Sequence, residues 1–245
     1  MNPSLSIIVP ARNEKNYIEK VVQRVSATPF QCDYELIFVE GHSNDGTFEE
    51  IKKVAENYKD RAQIRYTVQD GIGKADAVWK GLRLAQNDIL MVLDADLTVP
   101  PEDLPKFYEA AAAGPEVFVN GSRLVYPMEK EAMKPLNYLG NKFFAVLLSW
   151  ITRQKMTDTL CGTKCIWRSQ FKKINDSGLI EKLPDPFCDF TLILGAKKLG
   201  LKTVEVPIVY KKRIYDGTKI RRFKDGWKLL KIAAKYLFLT KRLSR

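Results

Sequence analysis

The sequence predicts an α/β fold built on a mostly parallel β-sheet with helices on both faces. In the first 120 residues, apolar runs of strand length alternate with patterns of helical periodicity, and this order is typical of parallel sheets with helical crossovers. The strand runs are almost continuously apolar, as expected for strands buried on both faces. A chain of 245 residues, 45% of them hydrophobic, is long enough to bury such a core.

The elements of the first half follow one another regularly. Strands are predicted at LSIIVP (5–10), YELIFVE (34–40), QIRYTV (63–68), DILMVLD (88–94) and EVFVNG (116–121). Helices are predicted at 15–27, 46–59, 74–86 and 102–113. In the first helix, apolar residues recur at the spacing of one helix face: Ile18, Val21, Val22 and Val25.

The second half is less regular. The pattern predicts a helix over 134–152, a turn leading into a short strand within 158–167, a helix over 187–199 and a strand over 202–210. A basic amphipathic helix is predicted over 220–241. Because no linker or repeat interrupts the chain, we expect one domain over 1–217 and a C-terminal appendage over 218–245.

Charge is distributed unevenly along the chain. Residues 1–120 carry 13 basic and 19 acidic residues, whereas residues 121–245 carry 27 basic and 10 acidic ones. This asymmetry predicts a polyanionic partner for the second half, such as anionic lipid, a phosphorylated substrate or nucleic acid. Nucleic acid is the weakest of these, because no recognisable binding module is present.

Neither a signal peptide nor a membrane span is expected. The apolar run at 143–151 has about half of the roughly 18 to 20 residues that a spanning helix needs. The four cysteines are few and are expected as reduced thiols. These features predict a cytoplasmic protein.

Polar residues cluster where the predicted strands end, which is the edge at which parallel sheets bind ligands. Asp94 and Asp96 follow the fourth strand, and residues two apart on a strand point to the same face. Two such carboxylates would repel each other unless a cation lay between them, and hard oxygen ligands suit Mg²⁺ or Mn²⁺. The alternative is that Asp96 caps the helix beginning near Pro101 and that Asp94 is a turn residue.

Several motifs at these loop positions resemble those of family 2 glycosyltransferases. They are IIVPARNE, VEGHSNDGT, GIGKADAV, LDADLTVPPEDL and GSR, in that order within the first 123 residues. Further on, DTLCGTKC, EVPIVY and RIYDGTK resemble the branch that contains dolichol-phosphate mannosyltransferases and polyprenyl-phosphate glycosyltransferases. The resemblance extends to about residue 219 and implies the Rossmann-like GT-A fold.

The resemblance also implies a function and a set of site residues. It implies a UDP- or GDP-linked hexose donor, a polyprenyl phosphate acceptor and inversion at the anomeric carbon. The metal ligands would be Asp94 and Asp96. The donor site would include Pro10, Arg12, Asn13, Glu14, Glu40, Asp45, Lys74, Asp94 and Ala95. Phosphate or acceptor contacts would come from Arg123, Arg213 and Lys219.

Some alternatives stay open at this stage. Many relatives have two successive acids where this chain has Glu40-Gly41, so the nucleobase is undetermined and a non-catalytic nucleotide-sugar binder is an alternative. A hydroxyl acceptor on a glycan or protein would require a general base, for which Asp158 and Asp189 are the candidates. For Asp189, a role as a helix N-cap is equally favoured.

Basic and aromatic residues alternate over 218–245, which fits a helix lying in an anionic membrane interface. Phe143, Phe144, Leu147, Leu148 and Trp150 form a candidate second docking face. The alternative is that these apolar residues pack on the domain. The sequence thus predicts a peripheral protein on the inner face of the membrane.

Overall fold

The computed structural model describes residues 2–127, 133–211 and 222–243. Its sheet has seven strands, β1 (Leu5–Ala11), β2 (Tyr34–Glu40), β3 (Gln63–Val68), β4 (Ile89–Val92), β5 (Val117–Ser122), β6 (Lys164–Trp167) and β7 (Lys202–Pro207). Their order is β3-β2-β1-β4-β6-β5-β7, and β6 alone is antiparallel to its neighbours.

Helices surround this sheet. They are α1 (Lys15–Ser26), α2 (Thr47–Asn57), α3 (Lys74–Leu84), α4 (Leu104–Ala112), α5 (Pro135–Thr152), α6 (Arg168–Asp176), α7 (Leu179–Lys182), α8 (Asp189–Lys198) and α9 (Arg222–Leu243). A short 3₁₀ helix (Pro101–Asp103) precedes α4. One core cluster joins the sheet to α1, α2 and α4, and a second joins it to α3, α5, α6, α8 and α9. The predicted α/β class with helices on both faces is therefore confirmed.

The strand order determines where a ligand crevice lies. β1 pairs with β2 on one side and with β4 on the other, so the crossover direction reverses at β1. In open α/β sheets, ligands bind beyond the carboxyl ends of the strands at such a reversal. The helix α3 packs closely on the sheet next to this point, because a Cβ at Gly81 would lie 2.4 Å from Ile8 Cγ2.

Some predictions about the elements were wrong in detail. The helices α6 and α7 were not predicted, and neither was the reversed direction of β6. The strand β4 ends at Val92 rather than at residue 94. Asp94 and Asp96 consequently lie in the loop after the strand, so strand alternation does not orient them.

The C-terminal helix packs on the rest of the protein, since α9 contacts both α5 and α8. Phe144 and Leu148 of α5 pack into the core, which corrects the sequence-based expectation that they belong to a docking face. The predicted boundary at residue 217 lies outside the described residues and stays a prediction. Within the described ranges, no helix combines the length and apolarity needed to cross a membrane.

Candidate functional site

The acidic loop after β4 is shaped by its own backbone. Leu93 N donates to Ile8 O at 2.9 Å, which carries the sheet one residue beyond β4. Leu97 then adopts a left-handed φ of 56°, and Asp96 Oδ1 accepts hydrogen bonds from Thr98 N at 3.1 Å and Thr98 Oγ1 at 2.7 Å. Asp96 therefore closes a turn on Thr98 and does not cap the helix at Pro101.

Lys74 meets Asp94 at this edge of the sheet. It is the first residue of α3, and its Nζ lies 2.6 Å from Asp94 Oδ1. Burial disfavours the ammonium, but the charges of Asp94 and then Asp189 outweigh burial and raise the pKa of Lys74. Lys74 and Asp94 were both predicted to belong to the donor site, and the structure brings these two residues into contact.

The surroundings of Asp94 fit a divalent cation. A Cβ at Gly162 would lie 2.2 Å from Asp94 Oδ2, so the space beside this carboxylate depends on glycine. The described residues contain no cluster of three or more acidic, histidine or cysteine ligands. Among the described residues, the candidate ligands are the carboxylates of Asp94 and Asp96. Mg²⁺ or Mn²⁺ commonly completes such a shell with water and substrate phosphates.

An open cleft of about 560 Å³ lies next to the ends of β1, β2 and β3. It is lined by Arg12, Gly41, His42, Gln69, Asp70, Gly71 and Ile72. Gly41 is required sterically, since a Cβ there would lie 2.8 Å from Arg12 Cβ. Many relatives have a second acid where this chain has Gly41. In this chain the loops after β1 and β2 approach each other closely at Gly41, and Arg12 lies over it.

Other predicted donor residues build the loops around this cleft. Glu40 accepts hydrogen bonds from the amides of His42 at 3.0 Å and Ser43 at 2.6 Å. Asp45 accepts from Thr47 N at 2.9 Å at the start of α2, and the hydrogen bonds from Thr47 and Lys15 outweigh burial and lower its pKa.

The remaining donor candidates are three residues at the end of β1 and in the loop after it, and Ala95 in the acidic loop. Asn13 Oδ1 accepts from Asn44 N at 3.1 Å, and Glu14 N donates to Thr47 Oγ1 at 2.9 Å. Pro10 lies within β1, and Ala95 is buried.

Arg123 and Asp158 form a buried bidentate ion pair. Arg123 Nε lies 2.7 Å from Asp158 Oδ2, and its Nη2 lies 3.0 Å from Asp158 Oδ1. Asp158 also accepts hydrogen bonds from Asn141 Nδ2 and from the amides of Arg123 and Leu160. Burial alone would raise the pKa of Asp158, but Arg123 and these donors lower it to about 2. A carboxylate that is fully buried and bound in this way positions Arg123 and is poorly suited to accept a proton.

The loop that carries Asp158 is held by residues that the sequence analysis missed. Glu205 on β7 accepts hydrogen bonds from the amides of Thr157 and Asp158, and Asn120 Nδ2 donates to Asp158 O at 2.6 Å. Asn141 on α5 completes the set. The sequence offered no periodic signal for these contacts, because each partner comes from a distant element.

Asp189 lies at the start of α8 in a second buried charge pair. Its Oδ1 is 3.1 Å from Lys164 Nζ, an ion-pair distance outside hydrogen-bond geometry. Lys164 Nζ also donates to Asn120 Oδ1 at 2.8 Å and Cys161 O at 2.5 Å. Burial raises the pKa of Asp189 against the opposing effects of Lys164 and Lys74. Lys164 was not predicted, because lysine is rarely buried.

The N-cap role belongs to Asp185 rather than to Asp189. Asp185 Oδ2 accepts hydrogen bonds from the amides of Phe190 at 2.7 Å and Thr191 at 3.2 Å. Burial and the charge of Asp189 raise the pKa of Asp185 to about 6. The same loop contacts α3, where Ala75 N donates to Pro186 O. Asp189 therefore lies near Lys74, and it influences the pKa of Lys74.

Arg213 and Lys219 lie outside the described residues, so their predicted phosphate contacts stay predictions. The described part of the site joins a cleft, an acidic loop, a lysine and a held arginine at the carboxyl edge of the sheet. Such an arrangement is suited to an anionic ligand that carries a phosphate group.

Comparison with known proteins agrees with this description. The model of the family "Glycosyl transferase family 2" matches residues 6–176. The chain belongs to this family.

Two curated relatives represent the similarity at the sequence level. The chain is 34% identical over 121 residues to dolichol-phosphate mannosyltransferase of Pyrococcus furiosus. That alignment covers 49% of this chain and 33% of the relative. It is 29% identical over 220 residues to undecaprenyl-phosphate 4-deoxy-4-formamido-L-arabinose transferase of Pectobacterium carotovorum. That alignment covers 88% of this chain and 62% of the relative. The chain thus spans between one third and just under two thirds of these relatives' lengths.

Solved structures confirm the GT-A fold. Glucosyl-3-phosphoglycerate synthase of Mycobacterium tuberculosis, crystallised with Mn²⁺, UDP-glucose and phosphoglyceric acid, aligns with a TM-score of 0.68 at 19% identity. The alignment covers 95% of this chain and 80% of that one. A second structure of that enzyme, with Mg²⁺ and UDP, also gives a TM-score of 0.68, at 18% identity, and covers 96% of this chain and 79% of that one.

Proposed function

We propose that the protein is a metal-dependent, inverting glycosyltransferase that moves a hexose from a UDP- or GDP-linked donor to a polyprenyl phosphate. The observation that carries the proposal is the meeting of Asp94, Lys74 and the backbone of Gly162 at the carboxyl edge of the sheet. Family membership and the polyprenyl-phosphate relatives support the donor and acceptor classes.

Asp94 and Asp96 would hold Mg²⁺ or Mn²⁺, which when bound neutralises the negative charge that grows on a departing diphosphate. Lys74 would add positive charge to the same phosphates. Its side chain is 28% exposed and carries the charge on a four-carbon stem, so the ammonium would also be within reach of a phosphate bound beside Asp94.

Arg123 would contribute a second, fixed positive charge. Asp158 holds Nε and Nη2 of its guanidinium, whose Cζ also lies 5.1 Å from the centroid of the Tyr210 ring. A polyprenyl phosphate is already anionic, so it can attack the sugar without a general base. The low pKa of Asp158 is consistent with a role in holding Arg123 rather than in proton transfer.

A hydroxyl acceptor is the second candidate, and Asp189 favours it. A buried carboxyl group with a raised pKa close to Lys74 has the properties of a general base. The two candidates differ in one measurable way. Replacement of Asp189 by Asn should strongly reduce transfer to a hydroxyl and have a smaller effect on transfer to a lipid phosphate.

The test of the proposal is a transfer assay with the full chain. The protein would be incubated with polyprenyl phosphate and a panel of UDP- and GDP-linked hexoses, with Mn²⁺ or Mg²⁺, and the glycolipid detected by mass spectrometry. The double variant Asp94→Asn/Asp96→Asn should lose transfer by about 100-fold or more, since it removes both expected metal ligands. The matched control is Asp103→Asn, whose carboxylate pairs with Lys106 at the surface. Near-normal turnover in the double variant would overturn the metal-dependent mechanism.

The expected location follows from the acceptor. A polyprenyl phosphate resides in a membrane, so we propose that the protein acts as a peripheral protein on the cytoplasmic face. The excess of basic residues in the second half supports an anionic membrane surface as a partner.

A further inference from the structure

The cleft at the ends of β1, β2 and β3 contains a buried amide whose direction is fixed. Gln69 directly follows β3, lines the cleft and is only 4% exposed. Its backbone N donates to Glu40 O at 2.9 Å, and its side-chain Nε2 donates to Gly71 O at 3.0 Å. The reversed amide would place Oε1 against the carbonyl oxygen of Gly71, so this contact determines which way Oε1 points.

The amide oxygen of Gln69 is left to accept a hydrogen bond from a ligand. Among the residues that the structure describes, none donates to Oε1, and this atom is not sealed from solvent. An acceptor on a side chain this deeply buried is costly unless it finds a donor. Since Gln69 lines the cleft, the fitting partner is an N–H group of a molecule bound there.

The turn that carries this acceptor is fastened to α3. Gly71 N donates to Asp76 Oδ2 at 2.8 Å, and a Cβ at Gly71 would lie 2.9 Å from Asp76 Oδ1. Asp76 belongs to the first turn of α3. The position of the Gln69 amide is therefore set before a ligand arrives, and preorganisation of this kind favours selective binding.

The carboxylates at the cleft are already engaged by other groups. The two oxygens of Glu40 accept from the amides of His42 and Ser43. Asp70 is 81% exposed and pairs with Lys80 at 2.5 Å. Guanine presents two neighbouring N–H donor groups, which are best received by the two oxygens of one carboxylate. Within the described part of the cleft, the fixed acceptor is instead a single amide oxygen.

We propose that the cleft selects uracil and that Gln69 Oε1 accepts the hydrogen bond of the uracil N3–H group. This inference rests on the proposed function and narrows its donor to a UDP-linked hexose. Uracil presents one N–H between two carbonyl oxygens, so one acceptor satisfies it. Cytosine has a lone pair on N3 that would face Oε1, and guanine would keep a second donor without a partner.

The rest of the cleft suits a flat ring without choosing between bases. Gly41 contributes no side chain to the wall beneath Arg12. Ile72 lies between two glycines at the cleft and is 87% exposed. An apolar side chain in that place is suited to cover the face of any base. Discrimination is therefore assigned to Gln69 and general affinity to Ile72.

The experiment is calorimetric titration of the full chain with UDP, CDP and GDP in the presence of Mn²⁺. We expect wild type to bind UDP at least about tenfold more tightly than CDP or GDP. Gln69→Met keeps the length of the side chain but removes the acceptor, so it should weaken UDP roughly five- to tenfold and leave CDP nearly unchanged. The matched control is Gln63→Met, which replaces an exposed glutamine at the other end of the same strand.

Two further measurements separate recognition of the base from a structural role of Gln69. Ile72→Ser should weaken all three nucleotides by similar factors, and a purely structural Gln69 would behave in the same way. UDP that carries a methyl group on N3 lacks the donor, so wild type should bind it about tenfold more weakly than UDP. This arm uses the unaltered protein and does not depend on how Gln69→Met folds.

Three outcomes would overturn the selection of uracil. They are wild type binding CDP or GDP as tightly as UDP, a preference for UDP that Gln69→Met retains, and binding of none of the three nucleotides. The transfer assay distinguishes this inference from the proposed function. Transfer from a GDP-linked hexose without a preference for UDP would reject the uracil contact and keep the function. A UDP preference that depends on Gln69, without transfer to polyprenyl phosphate, would do the reverse.

Discussion

The buried pair of Arg123 and Asp158 allows a prediction about stability that the structure makes quantitative. We expect Asp158→Asn to lower the free energy of unfolding by about 3–5 kcal/mol at neutral pH, because it leaves the buried guanidinium without its counter-charge. For a chain of this size, that loss corresponds to a fall of roughly 10 °C in the midpoint of thermal unfolding. Urea unfolding followed by tryptophan fluorescence at several pH values would measure it.

The loss in the free energy of unfolding caused by Asp158→Asn should also depend on pH. A shift in the pKa of Asp158 from 3.8 to about 2 corresponds to about 2 kcal/mol of stabilisation. A carboxyl group whose pKa is lowered by folding stabilises the protein above its unfolded pKa, and this contribution is lost as the pH falls through the folded pKa. The difference between wild type and variant should therefore be constant between about pH 5 and 8 and should shrink between about pH 4 and 2.

The control for this prediction is Glu56→Gln, which removes an exposed ion pair with Lys59. It should change the free energy of unfolding by less than about 0.5 kcal/mol. A loss below about 1 kcal/mol in Asp158→Asn, or a loss that stays constant on acidification, would refute the reasoning about the buried pair.

Three further predictions concern other buried or crowded positions. Lys164→Met should destabilise the protein by about 3 kcal/mol at pH 8. Because the pKa of Asp189 is already raised, the loss should shrink as the pH falls and Asp189 takes up a proton; a loss that urea unfolding finds unchanged on acidification would contradict this. Asp185→Asn keeps an acceptor for the start of α8 but removes a charge whose pKa is raised to about 6. Unfolding at pH 8 should therefore require as much or more free energy than in wild type, and any gain should fade as the pH falls from about 6 to about 4; a clear loss at pH 8 would argue against it. Gly41→Asp places a side chain against Arg12, so it should lower the free energy of unfolding by about 1–3 kcal/mol and weaken nucleotide-sugar binding. An unchanged thermal midpoint together with an unchanged calorimetric affinity would show that the two loops can separate.

The first half of the fold was predictable because four of its five strands, β1, β2, β4 and β5, are buried on both faces and therefore read as continuous apolar runs. The position of Asp94 at the ligand-bearing edge followed from the parallel order of the strands. The direction of β6 did not, because a strand of four residues carries no sequence signal for its orientation. The helix α6 was missed because only Phe171 and Ile174 of its residues are buried.

The candidate site was predictable as a set of charges and less so as a set of contacts. Arg123 and Asp158 were both candidates from the sequence, but their pairing depends on packing between elements far apart in the chain. Lys164 could not be recognised from its neighbours, since its partners Asn120 and Asp189 come from β5 and α8. Burial of a charge is a property of the assembled fold, and local periodicity does not report it.

The reversed strand β6 has a consequence for how the protein can diversify. Because β6 runs against its neighbours, the segment that precedes it, rather than the one that follows it, emerges at the ligand-bearing edge. Residues 153–163 thus reach the edge from outside the donor half, with Gly162 touching the acidic loop. If the proposed donor sugar binds at this edge, insertions and substitutions in the outer part of this segment would alter what approaches it while the first four strands stay intact. Under the proposed function, a change of acceptor would then require changes in one short stretch of chain only, independently of the donor site proposed for the rest of the edge.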